Sequence, residues 1–280
     1  GINIILAVSL NLVNGYMGEF SLAHAGFMAV GAYSSVLLTM KVLPVADYPL
    51  LFPCAVFIGG VVAAVLGMII AVPSFKVRGD YLAIITLAFL MIVKSMIENI
   101  DFMGGPRGIP GIMKLTTMPW VFFWTATLVW IVRNFVFSKY GRAVMAIRED
   151  EIASDLMSVD TKKVKFFAFM LSSFCAGIAG ALFAHLLQFI SPRIFDITKS
   201  TDILIMVYLG GIASLGGSIL GATIYTVLLE ILRPSTMAAL LSWLPSFIFD
   251  PLQAHLITHL GTWRMVIMPL ALIMVMLYWP

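Results

Sequence analysis

Two glycine-rich interruptions of apolar sequence carry polar residues that could act on a substrate. The first runs Asn14-Gly15-Tyr16-Met17-Gly18-Glu19 and is followed at once by Ser21 and His24. The second contains Gly210, Gly211, Ser214, Gly216 and Gly217. An ionisable group among apolar helices is costly and is a functional candidate by default. His24 therefore reads either as lining a pathway and bonding broken backbone, or as a histidine satisfied by a neighbouring carbonyl. His255 and His259 stand four apart, the spacing of metal ligands on a helix. The residues between them lack the glutamate of H-E-x-x-H, and no third ligand stands out. Ser214 misses the spacing of a nucleophile elbow. No G-x-x-x-x-G-K-[ST] phosphate loop occurs, and no carboxylate pair sits in an apolar block. Cys54 and Cys175 fall inside apolar blocks and read as small buried hydrophobes. These patterns point to no catalytic residue, no cofactor and no metal, hence to a chain that is not itself an enzyme.

The elements around these residues must be membrane helices. Of 280 residues, 61% are hydrophobic and 11% charged, whereas a soluble domain carries roughly 25% charged residues. Leu50 to Val72, Phe166 to Pro192 and Ile203 to Leu229 contain no Asp, Glu, Lys or Arg. Crossing about 30 Å of hydrocarbon takes about 20 such residues in a helix, which satisfies its own backbone. The expected fold is an all-α integral membrane protein, a polytopic bundle of roughly 8–10 spans, some of them broken at glycine. Helical segments are expected at about 1–14, 20–40, 50–72, 80–98, 119–137, 166–190, 202–214, 217–232 and 264–280. The net charge of +3 does not suggest nucleic acid. Apolar sequence starts immediately at Gly1 without a signal-peptide pattern, and an upstream helix is compatible with it.

The two interruptions occupy corresponding places. Ile5 to Leu38 and Ile203 to Leu232 each run apolar, then glycine and polar residues, then a helix rich in small residues. Paired interruptions of this kind point to a transport pathway; the alternative is a pair of ordinary turns at the membrane surface. The expectation is that 14–24 and 210–217 meet near the bundle centre. Ala176, Gly180 and Ala184, and likewise Gly217 and Gly221, recur at a spacing that lets helices approach closely. Lys94 and Glu98 are spaced to pair on one helix face, and His185 is expected near the outer surface.

One segment is polar. Lys139 to Lys165 holds six basic and five acidic residues. It reads as a short amphipathic helix outside the membrane, with Ile152, Ala153, Leu156 and Met157 on one face. An apolar stripe on such a helix is a candidate docking surface. If this segment is cytoplasmic, alternation places Lys76, Arg78 and Arg133 on the same side, and nine of 17 basic residues then lie inside.

The stretch GEFSLAHAGFMAVGAY from Gly18 to Tyr33 resembles the signature of permeases in branched-chain amino acid ABC importers. RGDYL at 78–82, GGPRG at 104–108, GRAVMAIREDEI at 141–152, Ser191-Pro192 and YLGGIASLGG at 208–217 are similar to further segments of that family, in order, across nearly the whole chain. The match is with the permease type that carries the long coupling loop. At position 19 the family has an amide more often than Glu19, and at Ala23 more often a glycine. Its usual short tail after Pro280 is absent from this sequence. The resemblance implies one permease domain over 1–280 with a cytoplasmic coupling loop at 138–165. It implies two ATP-binding subunits, a second homologous permease, an extracytoplasmic binding protein and a bacterial or archaeal plasma membrane. Gly141, Arg142, Ala146, Arg148, Glu149, Asp150, Ile152 and Leu156 are then the coupling residues. Arg142, Arg148, Glu149 and Asp150 supply polar contacts, and Ala146, Ile152 and Leu156 the packed face. Gly18, Glu19, Ser21, His24, Gly210, Gly211, Ser214, Gly216 and Gly217 are the pathway residues.

Two other functions compete. Urea and short-chain amide importers use similar permeases. An ion-coupled secondary transporter usually holds several charges at mid-membrane, and this chain places almost none there.

Overall fold

A computed structural model describes residues 1–42, 51–75 and 81–231, with the single positions 233 and 270. Lys76, Arg78, His255, His259 and the expected helix at 264–280 lie outside the described residues. Ten helices form the described part: α1 (Ile2–Asn11), α2 (His24–Leu37), α3 (Phe52–Ser74), α4 (Tyr81–Asn99), α5 (Met118–Phe137), α6 (Lys139–Glu149), α7 (Glu151–Leu156), α8 (Thr161–Leu187), α9 (Ile197–Gly210) and α10 (Leu215–Ile231). Five segments are long and apolar enough to cross a bilayer: His24–Val42, Phe52–Ser74, Tyr81–Asn99, Met118–Phe137 and Thr161–Leu187. Ile2–Tyr16 and Leu215–Ile231 are shorter apolar helices. α1 and α2 each end in one π-helical turn, Leu12–Tyr16 and Leu38–Val42.

The centre of the bundle is α2, α3 and α8, and small residues make it possible. A side chain at Gly31 would run into the Gly177 carbonyl, and one at Gly180 into the Met28 carbonyl. At Gly67 it would meet Ser173. Backbones this close exchange dispersion contacts along their full length, the main source of helix association in lipid. The spacing of Ala176, Gly180 and Ala184 thus marks the buried face of α8. Large apolar side chains such as Ile69, Ile84, Phe122 and Trp130 point outward, as lipid-facing positions do. Cys54 lies on that outer surface and not in the core, whereas Cys175 is buried.

Contacts fix the directions. His24 meets Ser172 and Thr39 meets His185, so α2 and α8 run parallel. Gly60 faces Ile178 and Gly67 faces Ser173, so α3 returns antiparallel. α9 and α10 form an antiparallel hairpin through Gly210 with Gly217 and Tyr225 with Asp202. At the far end of α8, β1 (Ile109–Pro110) pairs antiparallel with β2 (Phe189–Ile190), Ile109 opposite Ile190. Lys94 there bonds Asp196 at 2.9 Å and does not pair with Glu98. That ion pair, with the Ile197 amide, holds the Asp196 carboxyl below the usual carboxylate range.

The polar segment is two helices, not one. Asp150 leaves helical geometry between α6 and α7, and its side chain accepts from the Ile152 and Ala153 amides. Aspartate competes for backbone donors in this way and so prefers a cap to a helix interior. Ser138 caps α6 likewise, accepting from Tyr140 and Gly141.

Candidate translocation and coupling site

The two interruptions meet. Asn11, the last residue of α1, is fully buried and spends its whole amide on the second interruption. Its Nδ2 donates to the Ser214 carbonyl at 3.0 Å and to Ser218 Oγ at 2.7 Å, and its Oδ1 accepts from the Ala213 amide at 3.0 Å. Backbone broken at this depth needs protein partners, and Asn11 supplies them. Gly15 packs so tightly here that an added Cβ would reach Asn11 Oδ1 and lie 2.6 Å from the Ala213 nitrogen. Ala213 itself takes a left-handed conformation, φ 58°. The junction lies toward the end of the bundle that carries α6 and α7, because Arg148 donates to the Gly15 carbonyl at 3.0 Å.

From that end the chain climbs back to α2. Asn14 Oδ1 accepts from the Ser21 amide, Thr86 of α4 accepts from Leu22, and Ser200 of α9 donates to the Leu22 carbonyl at 2.8 Å. Ser21 and His24 are buried. Ser172 donates to the Ser9 carbonyl and lies 3.0 Å from His24 Nε2. A hydroxyl has one proton, so His24 donates through Nε2, and its Nδ1 is left as a buried acceptor without a protein partner. His185, in the last turn of α8, has both ring nitrogens engaged, by Thr39 and the Ala181 carbonyl, and is fully buried in the bundle.

The other pathway candidates divide. A Cβ at Gly210 would strike Gly217, and one at Gly217 would strike Gly210, so these two serve close packing of α9 on α10. Gly211 (φ 92°) and Gly216 have open space around them, and Ser214 is exposed. Gly18 (φ 74°) sits where a Cβ would lie 2.8 Å from Arg148 Cγ.

The polar module shows two faces. Val144, Ile147 and Ser154 point inward, and Gly141 is buried against the Phe135 and Val136 carbonyls at the turn from α5. Arg142, Ala146, Glu149 and Asp150 are exposed. Ile152, Leu156 and Met157 stand 62%, 81% and 80% exposed on the outer side. Arg148 and Glu151 reach back toward the bundle: Glu151 lies 3.0 Å from Lys165, which also contacts Glu19 at 2.7 Å.

Against known proteins, the family described as branched-chain amino acid transport system, permease component, matches residues 1–277. The chain belongs to this permease family. The permease is 34% identical over 267 residues to the high-affinity branched-chain amino acid transport system permease protein LivM of Escherichia coli K12. That alignment covers 83% of this chain and 61% of the relative. The LivM protein of Salmonella typhimurium LT2 matches to the same extent. A probable LivM of Methanocaldococcus jannaschii is 27% identical over 201 residues, 66% of this chain and 58% of that protein. The permease thus spans about three fifths of the length of these relatives. No solved structure matched it. The family and the apolar helices make it a multi-pass membrane protein.

Asn11, Ser172, Ser200 and Lys165 escape a reading of the sequence alone. Each is a polar residue in or beside an apolar run, and only the fold brings it to a partner. Lys165 offers one clue: it is the last charge before the uncharged block that starts at Phe166.

Proposed function

We propose that this chain is the membrane permease of an ATP-binding-cassette importer for branched-chain amino acids in a plasma membrane. A second, homologous permease completes the pathway. Two separate ATP-binding subunits supply the energy, and an extracytoplasmic binding protein delivers the substrate. The observation that carries this reading is the α6–α7 module. It is the one described polar module outside the spans, its outer side is apolar and bare, and its inner side bonds the broken segment of the candidate pathway. A chain without a phosphate loop needs such a handle for an ATPase to move. The proposed pathway residues are Glu19, Ser21, His24, Gly211, Ser214 and Gly216, with Gly210 and Gly217 holding the hairpin that presents them.

The energetics rank the docking residues. Burying Ile152 and Leu156 in a partner contributes about 1.5–3 kcal/mol each. Exposed pairs from Arg142 or Glu149 add about 0–1 kcal/mol each. The apolar side therefore sets affinity, and the charges set register.

The test is reconstitution of the permease with its partners in vesicles, with uptake of leucine, isoleucine, valine and urea measured in parallel. ATP-dependent uptake of the branched-chain amino acids is expected. Uptake of urea alone moves the substrate to the short amides, and uptake driven by an ion gradient without ATP overturns the proposal. Replacing Ile152 and Leu156 together with Asp is expected to abolish uptake and co-purification of the ATPase, with the bundle still inserted. Normal uptake and co-purification in that variant removes the mechanical role from this module.

A further inference from the structure

Lys165 is a buried cation with two anionic partners from different parts of the chain. Its side chain is 7% exposed. Nζ lies 2.7 Å from Glu19 Oε1, in the first interruption, and 3.0 Å from Glu151 Oε1, in the first turn of α7. The Phe75 ring stands 6.0 Å from the ammonium and shields that side. Glu19 is 19% exposed and Glu151 38%. The inner pair is therefore withdrawn from water and the outer one is half in it.

A second link runs alongside. Arg148, at the end of α6, donates to the Gly15 carbonyl at 3.0 Å, and its stem fills the space above Gly18. The module thus grips the interruption directly at position 15 through Arg148, and at position 19 by way of Lys165 on α8. Between the two grips lies Gly18, whose positive φ leaves the backbone free to pivot where other residues are strained. α7 is fastened to α8 as well, through Thr161 and Asp155 at 2.8 Å. The surface pair Lys163–Asp160 differs: its partners are 77% and 50% exposed, and water can replace either.

We propose that Lys165 is the positioning residue that makes the first interruption follow the polar module, with Glu19 as the receiving end and Glu151 as the driving end. A buried charge cannot be left without its partner except at high cost, whereas a partly wet one can exchange with water. When α7 shifts, Glu151 draws Lys165 with it, and Lys165, which keeps Glu19, moves the 15–19 turn. An uncharged amide at position 19 holds the ammonium far less firmly, so the acid at this position is what makes the connection stiff. This inference rests on the permease reading, since it takes α6–α7 as the place where an ATPase acts.

The experiment uses the full complex in vesicles and reads substrate uptake per ATP hydrolysed. The variants are Glu19→Gln, Lys165→Met, the charge exchange Glu19→Lys with Lys165→Glu and Glu151→Lys, and Glu151→Gln alone, with Lys162→Met as an exposed control. The two inner variants are expected to lower uptake per ATP about tenfold, the scale of a typical coupling between sites. Glu151→Gln is expected to lower it about threefold, because its pair is half solvated. The exchange is expected to restore most of the loss, since it rebuilds the inner pair with reversed sign, and the control to match wild type. A purely structural role lowers the amount of folded complex and leaves the ratio untouched; that result overturns the proposal, as does an exchange that restores nothing. Failure of the permease reading looks different: the wild-type complex itself then shows no ATP-dependent uptake.

Discussion

The two glycine-rich interruptions look alike in sequence and behave differently in the structure. The first, 14–24, is mostly covered, with Gly18 and Phe20 exposed, and is bonded on several sides: to α4 through Thr86, to α6 through Arg148, to α8 through Lys165, and to α9 through Ser200. The second, 210–217, is a short turn between two helices zipped by Gly210, Gly217 and Gly221, with Ile212, Ser214 and Gly216 exposed. Among the described residues, its side-chain bonds across to the rest of the chain come from Asn11, just before the first interruption, and from Tyr16 within it, which bonds the Leu215 backbone. The first interruption is thus wired to the polar module, and the second reaches that module only through the first. Glycine marks a break in both, but polar partners decide which break can receive a force.

Three substitutions sharpen this difference. The largest effect is expected from Asn11→Ala, which strips the Ala213 amide of its partner, while the Ser214 carbonyl keeps its bonds from Ser218. Each buried group left unsatisfied costs about 1–3 kcal/mol, so thermal unfolding of the complex in detergent should come several degrees early and uptake should fall with it. An unchanged melting temperature would mean that the breaks do not depend on each other. Gly15→Ala is expected next, at about 1–3 kcal/mol, because the new methyl meets Asn11 and the Ala213 backbone and the core there must shift. Its effect should shrink in an Asn11→Ala background, where only the contact with the Ala213 backbone remains; additive losses would place the strain at that backbone contact. Gly216→Ala is expected to stay within about 0.5 kcal/mol of wild type, since nothing lies within 4 Å of the added carbon and the position opens α10. A large loss of uptake there, with folding intact, would show that the second interruption touches substrate directly.

Much of the bundle was legible beforehand. The uncharged blocks map onto α3, α8, α9 and α10 within a few residues, because about 20 apolar residues have no stable state in a bilayer other than a helix. The small residues of α8 announce a close approach, and the fold delivers it. The polar module was legible as helical but not as bent: Asp150 was assigned to an external contact, and it also caps α7. Gly210 and Gly217 were read with the pathway, and they hold one helix against another.

Hydropathy acts residue by residue along the chain, so composition and spacing alone determined the membrane, the helices and the interruptions. Polar partnership acts across the fold. Asn11 meets Ser214 and Lys165 meets Glu19 over 203 and 146 positions of sequence. No local pattern encodes such a distance, because any of several acids and amides has the right chemistry to satisfy a buried lysine. Only the packing of α1, α6, α7 and α8 around one end of the bundle selects Glu19 and Glu151, and with them the route by which the polar module holds the broken helix.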